Sequence, residues 1–279
     1  MSTLTAHRRF YARFIVASAG ASDERLVAAF EAVPREDYVG PGPWPVFIGS
    51  GYLPTISDDP GLLYQDVLIG LAPERGINNG QPTLHARCLA AVAPAAGETV
   101  VHIGAGSGYY TAVLAHLVGP DGRVLAYEIE ADLAARARQN LAWAGERVEV
   151  MAASASAGPL PACDVIYVNA GATHPPAAWL DALKIGGRLI FPLTPDTGMG
   201  CMLRITRLGE RSYAATALMR VAFIPCIGAR DLAASQSLAA ALERQSLGAV
   251  RSLHRDSSPD ASVWCAGPGW WLSTAEPQH

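Results

Sequence analysis

The segment ETVVHIGAGSGYYTAVLAHLVG, Glu98 to Gly119, constrains this chain more than any other stretch. A β-branched run from Thr99 to Ile103 breaks at Gly104, Gly106 and Gly108 and then turns helical in pattern. Glycine admits positive φ and lets the backbone approach a ligand where a Cβ would clash. The helix that follows opens with unpaired N–H groups, which suit polar or anionic ligand groups. A second apolar run, RVLAYEIE, reaches Glu128, 20 residues after Gly108. That spacing puts a carboxylate at the tip of the neighbouring strand, where it can accept both hydroxyls of a ribose. An adenosine-containing cofactor is the expectation.

Of the 279 residues, 50% are hydrophobic and 16% charged, enough apolar material for a sizeable core. A formal net charge of −4 argues against a general nucleic-acid or anionic-membrane surface. The cysteines, Cys88, Cys163, Cys201, Cys226 and Cys265, are scattered without a CxxC pair. They read as reduced core thiols and predict no metal site. No apolar stretch reaches the roughly 18 residues of a membrane span, and the first residues carry no signal-peptide pattern. The expectation is a soluble cytoplasmic protein.

The chain divides by pattern into a helical cap and substrate lid (1–95), a cofactor-binding core (96–225) and an extension (226–279). Up to about residue 33, Phe10, Phe14, Leu26, Ala29 and Phe30 recur near helical spacing, with Ser22 as the N-cap of SDER. From Pro34 to Pro82 prolines, glycines and aromatics dominate, which reads as a long irregular lid or binding loop. A helix is predicted from about Thr83 to Val92. Beyond it, strands are predicted at 99–103, 123–128, 147–151, 164–169 and 187–192, and helices at 108–118, 131–143 and 176–184. This alternation signals an α/β fold with a mostly parallel, doubly wound Rossmann-like sheet. MLRITRL (202–208) and SYAATALMRVAF (212–223) then predict a terminal antiparallel hairpin around Gly209. The extension predicts a helix at about 231–246 and a short tryptophan-rich end.

A lone GxGxG serves nicotinamide and S-adenosylmethionine folds alike. Three features favour S-adenosylmethionine: the glycine strand lies mid-chain behind a helical cap, GAGSGYY lacks the third glycine of GxGxxG, and the sheet ends in an antiparallel hairpin. The sequence resembles the protein-L-isoaspartate O-methyltransferases, which are class I S-adenosylmethionine-dependent enzymes. The resemblance rests on VVHIGAGSGYYTAVLA (Val100 to Ala115), RVLAYEIEADLAARARQNL (Arg123 to Leu141), DVIYVNAGA (Asp164 to Ala172), LKIGGRLIFPL (Leu183 to Leu193) and VPREDYV (Val33 to Val39). It covers about residues 20–225. It implies cofactor contacts from His102, Gly104, Ala105, Gly106, Ser107, Gly108, Tyr109, Glu128, Ile129, Ser154 and Asn169. It also implies methylation of a carboxylate on a peptide, protein or small acid, with an oligomer possible.

The sequence departs from the family at one acceptor-side position and two cofactor-side positions. The family's Gln-Thr-Ile-Ser-x-Pro segment supplies an active-site hydroxyl; here the aligned segment is INNGQP (Ile77 to Pro82), with Gly80 at the serine. Asn79, Gly80 and Thr83 are therefore the candidate substrate-positioning residues, Thr83 as a shifted hydroxyl and Asn78, Asn79 and Gln81 as amide donors. His102 stands where the family has an acidic residue, and Ser154 where it has an aspartate near the adenine. Loss of the serine predicts weak or absent methylation of isoaspartyl peptides. Two rival readings follow: an N- or hydroxyl-methyltransferase using His85 or His102 as base, and a non-catalytic adaptor that keeps the fold.

Overall fold

The computed structural model describes residues 3–156, 158–255 and 257–277. They form two compact units, one from residues 1–98 and 105–153, the other from 99–104 and 154–279.

In the first unit the helices Thr3–Ser18 and Glu24–Ala32 pack on each other and on the helix Pro82–Val92. The cap of the second helix is Asp23, not Ser22: its carboxylate accepts from the Arg25 N–H. The face of the first helix that packs inward carries Tyr11, Ala12, Ile15 and Val16. Phe10 and Phe14, expected on the apolar face, stack on each other in solvent, at 70% and 47% exposure. Periodicity alone could not choose between two apolar stripes on one helix; tertiary packing did. The strands Arg123–Glu128 and Val148–Ala152 pair in parallel, with the helix Ala131–Asn140 between them in sequence. That helix stops three residues short of the predicted 143 and passes into a 3₁₀ turn, Ala142–Arg147.

The segment from Pro34 to Pro82 is not irregular throughout. It holds a short helix, Glu36–Val39, and two antiparallel pairs, Pro45–Phe47 with Tyr52–Pro54 and Gly70–Ala72 with Ile77–Asn78. Val39, Trp44, Leu63 and Ile69 form its own small core. What organises it is a cation. Arg35 is fully buried, and its guanidinium donates to the carbonyls of Leu63, Gln65 (2.8 Å) and Val67 (3.2 Å). A planar fork of donors can hold three carbonyls of one loop at once, which the ammonium of a lysine cannot match in geometry.

The second unit is built on a mixed sheet. Thr99–Ile103 pairs in parallel with Cys163–Val168, which pairs in parallel with Leu183–Leu193. These strands are nearly continuous apolar runs, buried on both faces as parallel strands require. Leu183–Leu193 starts earlier than the predicted 187, so the helix before it, Ala177–Ala182, is shorter than expected. The early start is possible because Gly186 and Gly187 absorb a register shift: Gly186 has φ +81°, and a Cβ on Gly187 would meet the Lys184 carbonyl at 2.7 Å. The hairpin Gly200–Arg207 and Tyr213–Val221 follows, as the sequence predicts. The extension then adds three strands the sequence reading omitted: Ser252–Arg255 pairs with Tyr213–Val221, Trp270–Ser273 with Ser252–Arg255, and Val263–Gly267 with Trp270–Ser273. The helix Leu232–Arg244, capped by Asp231, packs on Val263–Gly267. Trp264, Trp270 and Trp271 are buried, with Trp271 stacked on His254 at 4.0 Å.

Replacing Arg35 with Lys should cost about 2–4 kcal/mol of stability, since buried carbonyls lose their donors. Urea unfolding of Arg35→Lys measures it; a change below about 1 kcal/mol would show that the lid does not depend on the guanidinium.

Candidate functional site

Strand Thr99–Ile103 ends at Gly104, and the helix Tyr109–Val118 begins five residues on, so the turn between them must reverse the chain tightly. Gly104, Gly106 and Gly108 have φ of +77°, +57° and +97°. The turn is crowded as well as left-handed: a Cβ on Gly108 would lie 2.8 Å from Leu141 Cδ1, and one on Gly106 3.2 Å from Leu71 Cδ1. Positive φ favours glycine at both places, and at Gly108 a side chain would in addition have to displace the end of Leu141.

Glu128 closes this turn. Its Oε2 accepts from the Gly106 N–H at 2.6 Å and its Oε1 from the Glu130 N–H at 3.0 Å. Burial raises its pKa, and the hydrogen bonds from the Glu130 and Gly106 N–H groups act in the other direction. An ionised carboxylate offers about four acceptor positions, so two backbone donors leave room for a diol. Ser107 is buried, and its carbonyl accepts from Asn140 Nδ2 at 2.9 Å, which fixes the turn from the helix Ala131–Asn140. Ala105 donates to the Tyr127 carbonyl. Ile129, next to Glu128, is 45% exposed, an apolar surface beside the carboxylate. Tyr109 departs from expectation. Its ring packs edge-on against Tyr38 and Tyr110, beside the Arg35 guanidinium, so only its backbone faces the turn.

In the second unit, Asn169 and His102 form a pair. Asn169 Nδ2 lies 2.8 Å from His102 Nε2, and the Asn169 N–H donates to the Ile103 carbonyl. His102 is fully buried, and burial lowers its pKa to about 3. The imidazole is therefore neutral, takes the amide proton on Nε2 and carries its own on Nδ1. Such a ring is no proton acceptor at neutral pH. Ser154 is exposed and 2.7 Å from Ser156 Oγ, which donates to the Ile227 carbonyl.

Of the three candidate substrate-positioning residues, Asn79 and Gly80 sit on one loop of the first unit and Thr83 in the first turn of the helix that follows it. Asn79 exchanges hydrogen bonds with Ile69: its N–H donates to the Ile69 carbonyl, and its Oδ1 accepts from the Ile69 N–H at 2.8 Å. Its backbone N–H and side-chain oxygen thus extend the pairing of the neighbouring strands. Thr83 gives its N–H to Asp66 Oδ1 at 2.8 Å, and its Oγ1 is buried without a hydrogen-bond partner among the described residues. Gly80 has φ +73°, held by Asn78 Oδ1, which accepts from the Gly80 N–H at 2.9 Å. The missing side chain leaves no gap. A Cβ on Gly80 would stand 2.1 Å from His85 Nε2 and 2.8 Å from its Cδ2. The His85 ring is buried and stacked on Tyr110 at 3.7 Å.

Sequence reasoning missed Arg35 and Asp66 as organisers of this loop. Asp66 accepts from both Gln81 Nε2 and the Thr83 N–H, and so caps the helix Pro82–Val92 from a distant segment. A helix opening on Gln-Pro has no capping side chain of its own. That deficit was the available signal.

A model of the protein-L-isoaspartate(D-aspartate) O-methyltransferase family matches residues 61–231, more than half of the chain. A protein-L-isoaspartate O-methyltransferase of Rhodopseudomonas palustris is 34% identical over 77% of this chain and 90% of its own length. One of Marinobacter nauticus is 35% identical over 79% and 93%. One of Ignicoccus hospitalis is 40% identical over 47% of this chain and 63% of its own, so there the match spans less than two thirds of the relative. Two solved structures share the fold. One is a protein-L-isoaspartate O-methyltransferase, with TM-score 0.61 and 24% identity over 78% of this chain and 65% of that one. The other is a putative enzyme of that kind from Plasmodium falciparum in complex with S-adenosyl-L-homocysteine, with TM-score 0.64 and 19% identity over 79% and 98%.

Two outcomes test this geometry. Gly80→Ser should lose about 1–3 kcal/mol, because φ +73° strains any side chain and the His85 ring must move. It should not raise acceptor turnover; a stable, faster variant would show that ring and hydroxyl coexist. For His102, the folded ring stays neutral down to about pH 3 while the unfolded one protonates near 6.5. Stability should therefore fall as pH drops from 6.5 towards 3, by up to about 1.4 kcal/mol per pH unit from this group. His102→Gln should lack that component in urea titrations at pH 7, 6 and 5; parallel curves would contradict it.

Proposed function

This chain belongs to the protein-L-isoaspartate(D-aspartate) O-methyltransferase family, and on that premise we propose that it moves a methyl group from S-adenosylmethionine to the free carboxylate of an isoaspartyl residue. The observation that carries this reading is the Glu128–Gly106 contact within a turn whose three glycines all have positive φ. The residues fit the group. Glu128 keeps acceptor positions for a ribose diol, and the glycine turn allows close approach of a chain. Ile129 supplies an apolar face for a purine. Asn169 and the exposed Ser154 complete the proposed set, Ser154 offering a hydroxyl where the family has an aspartate.

The bound cofactor supplies an electrophilic methyl on a cationic sulfur. The chain itself has little chemistry to perform. An acceptor carboxylate, with a pKa of roughly 4, is already ionised at neutral pH and needs no base. What the residues must do is align the acceptor oxygen at about 3 Å and keep water out. The lid, with its own core and its Arg35 anchor, suits both tasks. The N- or hydroxyl-methyltransferase reading needs a base, and His102 cannot serve, being buried, neutral and already accepting from Asn169. A scaffold that binds no cofactor has no use for a glycine turn closed by a buried carboxylate; an adaptor that keeps the cofactor differs from the enzyme only in turnover.

The same reading includes a peptide or protein acceptor, a cytoplasmic setting consistent with five buried, free cysteines, and no nucleic-acid partner at a net charge of −4. Among the described residues, no helix is long and apolar enough to cross a membrane.

Calorimetry with S-adenosylmethionine should give saturable binding, and an isoaspartyl peptide should acquire a base-labile methyl ester: membership of the family outweighs the loss of the serine, which alone predicted weak or absent activity. Glu128→Gln, which turns an amide toward a backbone donor, should weaken cofactor binding about 10- to 100-fold. Cofactor binding unchanged in that variant would remove Glu128 from the site; binding without ester on the isoaspartyl peptide would favour the adaptor.

A further inference from the structure

Glu128 is held from two sides, and one short hairpin touches both of the residues that hold it. The Gly106 N–H donates to its Oε2 and the Glu130 N–H to its Oε1. Leu71 Cδ1 lies 3.2 Å from where a Cβ on Gly106 would stand. Further along the same hairpin, Arg75 Nη1 lies 2.5 Å from Glu130 Oε2, and Arg75 Nη2 lies 2.6 Å from Asp132 Oδ2. A second contact, Nη1 to Asp132 Oδ1 at 3.1 Å, makes the aspartate pair two-pronged. Leu71 and Arg75 belong to the hairpin whose strands are Gly70–Ala72 and Ile77–Asn78, with the 3₁₀ turn Pro73–Arg75 between them. The hairpin therefore spans from the glycine turn to the first turn of the helix Ala131–Asn140. Its two ends are held differently. At the base, Asn79 exchanges two hydrogen bonds with Ile69, and a Cβ on Gly70 would meet Pro73 Cγ at 2.7 Å. At the tip, Glu74, Arg75 and Gly76 are exposed, and the holding contacts are ion pairs in reach of water. Such pairs contribute little individually, and salt weakens them.

We propose that the hairpin Gly70–Asn78 is a strap over the ribose end of the cofactor site, that Arg75 is its latch, and that release of the latch sets the rate of cofactor exchange. The proposal rests on the cofactor-binding half of the reading above. Glu128 is 6% exposed, so a ribose reaches its free acceptor positions only when a covering segment moves. The strap is placed to be that segment, because its two contacts land on Gly106 and Glu130, the backbone donors on either side of the carboxylate. A methyl donor whose product must leave before the next turnover needs a site that closes for the chemistry and opens between cycles. A fixed base with a weakly held tip meets both needs. Closed, it keeps water from the donor; open, it parts exposed ion pairs and draws Leu71 off Gly106. Arg75 acts through the hairpin and is a positioning residue.

The test uses the full chain and S-adenosylhomocysteine, with Arg75→Gln, Asp132→Asn and the double variant. Release is timed at about 50 mM and about 500 mM salt by chasing labelled ligand with unlabelled. At low salt Arg75→Gln should release the ligand about 3- to 10-fold faster than the wild type. Asp132→Asn should also speed release, and the double variant should match Arg75→Gln, because both substitutions remove the same interaction. At high salt the wild type should come within about twofold of Arg75→Gln. Equal release by the wild type and Arg75→Gln at low salt would overturn the proposal. So would additive effects in the double variant, or a gap that salt leaves unchanged, since neither pattern comes from an ion-paired latch. Asp132→Asn against the wild type, at both salts, decides the matter if Arg75→Gln fails to fold. Failure of the wild type to bind S-adenosylhomocysteine would instead overturn the cofactor reading and the strap with it.

Discussion

The buried guanidinium of Arg35 is the interaction on which the segment from Pro34 to Pro82 depends. A cation taken fully out of water must be solvated by the protein itself, and here three loop carbonyls do so. Those carbonyls belong to Leu63, Gln65 and Val67, which bracket Asp66. With the backbone so fixed, the Asp66 carboxylate is aimed at Gln81 and at the first N–H of the helix Pro82–Val92. Two residues further, Ile69 is locked to Asn79, and Gly80 follows in its left-handed turn. One buried charge therefore sets, step by step, the loop that carries Asn79 and Gly80.

The donor half is held by a different device. There a carboxylate, Glu128, is solvated by backbone N–H groups of the glycine turn and of Glu130. The two halves are complementary in sign, with a cation binding carbonyls on one side and an anion binding N–H groups on the other. Each fixes irregular backbone that has no helix or sheet ladder to satisfy it. The donor half follows the family pattern at its glycines and its acid. At INNGQP, where the family carries a hydroxyl, this chain has bare backbone at Gly80 with the His85 imidazole behind it.

How much of this was legible depended on whether the signal was local. The strands Thr99–Ile103 and Arg123–Glu128 announced themselves as apolar runs because strands covered on both faces must be continuous in sequence. The glycine turn was legible because φ above zero leaves few residue choices. The strands of the extension were not: Ser252–Arg255 and Trp270–Ser273 are four residues each, too short for a periodic signal, and exist because each finds a neighbour. The lid read as irregular because its order comes from one arginine reaching residues about 30 positions away, which no window along the chain can detect. Ser22 lost the cap to Asp23, and Phe10 and Phe14 lost the core to Tyr11 and Ile15, for the same reason: neighbours in space chose between equivalent local options.

By itself, then, the sequence determined the α/β pattern, the place of the glycine turn and the identity of the acid that closes it, since each follows from backbone conformation or strand burial read over a few residues. It also showed that position 80 is bare. Only the tertiary structure decided what that bareness means. A missing side chain in a sequence is a void until the fold shows what fills it, and here the space is taken by His85, five residues on, brought back to the loop by one turn of helix and a stack on Tyr110.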